Sequence, residues 1–121
     1  MLGDYLRSAA RRPWQPGRHD CCAFPARWAG IDLPVYSTEG QAQAIVAEAP
    51  DLLRFVAPLL DARFSRIDSP EEGDIGVIVA VGMDRQPVQV GAIFTGKRWA
   101  FASPRGGIAC ASAEPLAVWR V

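Results

Sequence analysis

The sequence predicts an α+β fold: short N-terminal helices packed on one face of a C-terminal antiparallel sheet of about five strands. Three observations predict it. Up to about residue 60, apolar residues recur at intervals of three and four, the spacing of an amphipathic helix. After Gly73 the pattern changes to β-branched runs separated by glycine-containing turns. The chain has 121 residues, half of them apolar, which suits a single domain over 1–121 with one core. Helices first and strands afterwards is the order expected of segregated α+β architecture.

The elements follow in order. Leu2, Tyr5, Leu6 and Ala9 share one helical face, so residues 2–12 read as a helix ended by Pro13. Pro13-Trp14-Gln15-Pro16-Gly17 is a rigid turn. Asp20 is a suitable N-cap for a second helix over 21–29, with Phe24 and Trp28 inward and Gly30 as its stop. Pro25 removes a backbone donor there, so this helix starts late or kinks. Residues 31–37 form a loop. Thr38 caps a third helix over 38–49, and Asp51 starts a fourth with Leu52, Leu53, Val56 and Leu60 inward and Pro58 as a breaker. Ile75 to Val81, 88–95, 98–102, 108–111 and 118–121 read as strands, with Gly96-Lys97 in a hairpin turn.

Composition excludes several classes. Lys+Arg and Asp+Glu are both 13, a net charge of zero, which offers nothing to nucleic acid or an anionic membrane surface. No apolar run approaches the roughly 18 residues of a membrane span. Residues 1–12 carry Asp4 and no continuous apolar stretch, so no signal peptide is expected. Three cysteines and one histidine, without a CxxC pair, leave a zinc site short of ligands and make a disulfide scaffold unexpected. No metal or cofactor is expected. Cys110, in an apolar strand, reads as a small buried hydrophobe, and Trp14, Trp28, Trp99 and Trp119 as core aromatics.

The segment His19-Asp20-Cys21-Cys22-Ala23-Phe24 carries the chemistry. A cysteine opening a helix feels the positive end of the helix dipole, which favours the reactive thiolate. Cysteine hydrolysis also needs a base near the sulfur and donors for the oxyanion. His19 is the single histidine, two residues before Cys21. The competing reading is structural: Asp20 caps the helix and orients its first turn, His19 bonds the neighbouring loop, and Cys21 packs as a small apolar group.

Asp20-Cys21-Cys22-Ala23-Phe24 resembles the Asp-Cys-Ser-Gly-Phe motif of the NlpC-type cell-wall peptidases, a papain-like family. Glu72-Gly73-Asp74-Ile75-Gly76-Val77-Ile78 is similar to that family's Pro-Gly-Asp-Leu strand, and Gln89-Val90-Gly91-Ala92-Ile93-Phe94 to its His-Val-Gly-Ile-Tyr strand. The resemblance implies a papain-like fold with Cys21 as nucleophile. It sets Gln89 at the position of the catalytic histidine, where glutamine cannot serve as base. The chain also resembles a small phage-encoded family of unknown function, through Trp14-Gln15-Pro16-Gly17-Arg18-His19-Asp20-Cys21, Gly73-Asp74 and Ala117-Val118-Trp119-Arg120-Val121. That resemblance implies a gene of the tail-tip and baseplate cluster, with hub proteins as partners. The chain would reside in the host cytoplasm during assembly and then in the virion tail. Three functions follow: a structural tail component without peptidase activity, a peptidase using Cys21 and His19 on peptidoglycan peptides during genome entry, or a tail-assembly factor.

Overall fold

The computed structural model describes residues 2–11, 23–31, 52–81, 85, 87–103 and 107–121. They form three helices, α1 (Leu2–Ala10), α2 (Ala23–Ala29) and α3 (Leu52–Asp61). Six strands follow: β1 (Ser65–Arg66), β2 (Ile75–Val81), β3 (Pro87–Phe94), β4 (Trp99–Ala102), β5 (Ile108–Ala111) and β6 (Ala117–Arg120). The helix expected over 38–49 lies outside the described residues.

Local chemistry explains the helix ends. α2 stops at Gly30, whose φ of 75° is the left-handed conformation that glycine adopts without a Cβ penalty. Ile31 N–H donates to the Ala26 carbonyl at 2.9 Å and Gly30 N–H to Arg27 at 3.3 Å, the two bonds of a Schellman cap. Pro25 is the third residue of the described helix, within the turn whose amides have no intrahelical acceptor to lose. Pro58 does not break α3, which runs on to Asp61. α1 is fastened to α2 by aromatic contact: the Tyr5 ring lies 5.4 Å from Phe24 and 5.3 Å from Trp28. The Tyr5 hydroxyl donates to the Phe24 carbonyl. Burial pushes that phenol up to about 12, so it remains a neutral donor at any ordinary pH.

All strand pairs are antiparallel, in the order β1-β6-β2-β3-β4-β5. β2 and β3 form the longest pair, from Ile75 opposite Ile93 to Val81 opposite Pro87. β6 crosses back to lie between β2 and β1, with Trp119 opposite both Ile75 and Arg66. Thr95 to Arg98 form the β3–β4 turn expected around Gly96, closed by Thr95 N–H donating to the Arg98 carbonyl at 2.8 Å. Gly96 adopts a φ of 99° there.

The expectation of a papain-like α+β domain, with an N-terminal helical layer on a sheet of about five strands, is overturned. The body is a six-stranded antiparallel sheet, and the described helices, of seven to ten residues, are too short to form a layer of their own. They meet the sheet separately: α1 at β5, α2 at β3 and β4, α3 at β1, β3 and β6. The core shows why the expectation failed. One apolar cluster joins Leu2, Phe24, Leu52 and Leu60 of the helices to Ile75, Val77, Ile93 and Trp119. A second contains no residue of the described helices: Ile78, Val90, Ala92, Trp99 and Val118, with Phe94, Phe101, Ile67 and Ala113 packed against them. The sheet therefore buries apolar side chains on both faces, whereas a helix-covered sheet was expected to bury one. The continuous run Ile75 to Ile78, fully buried rather than alternating, is the sequence trace of that arrangement.

Candidate functional site

Of the four residues singled out by sequence, His19, Asp20 and Cys21 lie outside the described residues, as does Cys22. They directly precede Ala23, the first residue of the described α2, which packs on β3 and β4. Gln89 is described. It lies on β3, half-buried, opposite Val79. Its Oε1 accepts the backbone N–H of Leu53 at 2.9 Å.

That bond gives Gln89 a definite role. Leu53 is the second residue of α3, and its amide is one of those a helix start leaves without an intrahelical acceptor. Gln89 supplies the acceptor from across the sheet, so β3 caps α3. Gln89→Ala should lower stability by about 1 kcal/mol, the usual value of a cap. Gln89→Glu keeps an acceptor and adds a charge that the helix start favours, so it should match the wild type or exceed it. Differential scanning calorimetry of the two variants separates a cap from a residue of no structural consequence.

Beside Gln89, the helix-bearing face holds an apolar cavity of about 40 Å³. Pro25 and Ala26 of α2, Leu52 and Val56 of α3, and Ile75 and Gly91 of the sheet are among its walls. Among the described residues, its lining carries no ionisable side chain.

The charged groups gather elsewhere. Asp74, 3 % exposed, accepts from Arg120 Nε at 3.3 Å and Nη2 at 3.2 Å, and from the Glu71 amide at 2.8 Å. Glu71 also pairs with Arg120 at 3.2 Å. The carboxylate of Asp74 holds the Arg120 guanidinium even further above its ordinary range. The neighbouring Gly73 carbonyl accepts from Trp28 Nε1 at 2.8 Å. A second group joins α3 to the sheet: Asp61 accepts from Arg66 Nε at 2.9 Å and Trp119 Nε1 at 2.8 Å, and Arg66 lies 5.2 Å from the Trp119 ring. Arg66 and Trp119 hold the Asp61 carboxyl below its ordinary value.

Gly73-Asp74, just before β2, and Trp119-Arg120, at the end of β6, thus meet side by side although distant in sequence. A family model described as a domain of unknown function (DUF6950) matches residues 1–121. The chain belongs to that family. No curated protein and no solved structure matches it.

In this DUF6950 domain the polar contacts of Asp74, Trp28, Arg120 and Trp119 are architectural, each tying one segment to another. Sequence reasoning picked out Asp74, Trp119 and Arg120 as motif members and Trp28 as a core aromatic, but missed the Asp74–Arg120 pairing, for which opposite charge just before one apolar strand and at the end of another was the available signal. Cys110 departs from expectation: it is a free thiol, exposed on the edge strand β5. Edge position leaves one of its flanks to solvent, which the apolar character of the strand did not reveal. Among the described residues no three His, Cys, Asp or Glu side chains converge as metal ligands, and no helix is long and apolar enough to cross a membrane.

Proposed function

We propose that this DUF6950 chain is a structural component of the tail tip or baseplate of a tailed phage, acting through contacts with hub proteins and not through hydrolysis. The bond between Gln89 and the start of α3 carries the non-catalytic part of this reading. At the position where the peptidase resemblance calls for a base stands a side chain that titrates no proton and is occupied as a helix cap. The described members of the phage-like motifs support the same reading, since Gly73, Asp74, Trp119 and Arg120 serve to join strands and helices. The phage assignment rests on the resemblance of those motifs in their order along the chain.

Mass spectrometry of purified particles from the phage or prophage encoding the chain tests the assignment. Peptides of the chain should be found in intact virions and in isolated baseplates. Absence from mature particles, with presence in assembling tails, would replace this reading by that of an assembly factor. Incubating the purified chain with peptidoglycan tests the other half. No cleavage is expected; turnover abolished by both Cys21→Ala and His19→Ala would identify a peptidase instead.

A further inference from the structure

The β2–β3 pair is longer than the neighbours that flank it. β6 pairs with β2 only from Ile75 to Val77, and β4 pairs with β3 only at Ile93 and Phe94. Residues 78–81 and 87–90 therefore continue as a two-stranded ribbon beyond the rest of the described sheet. Val81, at 77 % exposed, and Val79, at 44 %, are large apolar side chains open to solvent there.

The two edges of this ribbon differ. The β3 edge begins with Pro87, a recognised way of blunting an edge. The β2 edge has no such residue. From Ile75 to Val81 it carries no charge, no proline and no register break. Its hydrogen-bonding direction is fixed by one contact: the Val77 carbonyl accepts Leu116 N–H at 2.8 Å, so Val77 faces the β6 side. Backbone groups alternate direction along an antiparallel strand. Val79 and Val81 therefore also direct their N–H and C=O groups to that side, where no described strand pairs with them.

We infer that this edge binds a second copy of the chain, β2 against β2 about a two-fold axis at Ala80. The register is self-complementary. An axis at Ala80 sets Val79 of one copy opposite Val81 of the other, twice over. Both residues face outward, so each pair exchanges two hydrogen bonds and all four outward groups of each strand are satisfied. The same register brings the exposed valines of both copies together on one face, as β-branched cross-strand neighbours. An uncharged edge meets its own copy without repulsion, and the contact is isologous and closed, yielding a dimer and not a fibre. An axis at Val79 would instead require Val77, whose edge Leu116 already occupies. Leu116, 45 % exposed, lies at this junction and extends the apolar surface.

Analytical ultracentrifugation of the full chain between roughly 10 µM and 1 mM should show a monomer–dimer equilibrium. Val81→Lys places like charges near the axis and should abolish the dimer while leaving the far-ultraviolet circular dichroism unchanged. Ala80 opposes itself at a non-hydrogen-bonded position, with Cα atoms about 4.5 Å apart, within disulfide range. Ala80→Cys in a Cys110→Ser background should therefore cross-link to a covalent dimer under mild oxidation, and Cys110→Ser alone should not. A wild type that stays monomeric at 1 mM, a Val81→Lys variant that dimerises as well as the wild type, or an Ala80→Cys variant that fails to cross-link would each overturn the inference.

Discussion

Gly76→Ala should lower the thermal midpoint of this domain by roughly 10–15 °C, corresponding to a loss of about 3 kcal/mol, the upper end for overpacking. A Cβ at this position would come within 2.8 Å of Trp99 Cη2 and 2.9 Å of the Ala117 carbonyl oxygen. Gly76 sits in the second core cluster's face of β2, and its missing side chain lets the Trp99 indole approach the strand closely. Neither neighbour can yield easily. Trp99 is 2 % exposed and packed against Phe94 with ring centroids 5.0 Å apart, and the carbonyl belongs to β6, paired with β2 in register. A double-mutant cycle with Trp99→Leu should return part of the loss, because the ring clash disappears while the carbonyl contact remains. Thermal unfolding followed by circular dichroism measures all four corners. Equal stability of Gly76→Ala and the wild type would mean that Trp99 does not lie against this strand.

Trp119→Ala should cost about 4 kcal/mol, within the range for deleting a fully buried large aromatic. Against a total stability of roughly 5–15 kcal/mol for a domain, that leaves a substantially unfolded population on mild heating. Trp119 is fully buried, touches the helix-bearing cluster, donates to Asp61 and stacks beneath Arg66. Trp119→Phe keeps most of the buried surface and loses the indole donor, so its cost should be less than half as large. Urea titrations of the two variants give the comparison. A Phe variant as unstable as the Ala variant would shift the weight from packing to the Asp61 bond.

Strands were the legible part of this fold. β2 coincides with the predicted Ile75 to Val81, and β3 to β6 lie within a residue or so of the predicted runs, because β-branched runs between glycine turns have few alternatives. β1 was not foreseen: Ser65–Arg66 has no apolar pattern and becomes a strand only because β6 lies beside it. The overall architecture was misread for a related reason. Periodicity reports which side of an element is apolar, but the second cluster arises because Trp99 reaches over Gly76, and nothing in the local pattern announces that contact. Gln89 was legible only through the resemblance, as a glutamine where the peptidase motif sets a histidine. Its partner was not, because a helix start 36 residues earlier in the chain supplies it. His19, Asp20 and Cys21 remain readings of sequence, testable through the cleavage experiment above.

The position of β6 shapes how the sheet can be built. Ser65–Arg66 and Ile75–Val77 are near in sequence but never pair; residues 117–120 stand between them. Closing that gap joins segments 40 to 55 residues apart, an entropically slow step compared with forming the β2–β3 hairpin. Until it happens, β2 presents an uncharged edge over its full length, a template for any like strand in solution. Refolding should then partition between insertion of β6, which is unimolecular, and edge-to-edge association, which is not. The recovered yield becomes a function of protein concentration, and dilution during refolding favours the native sheet.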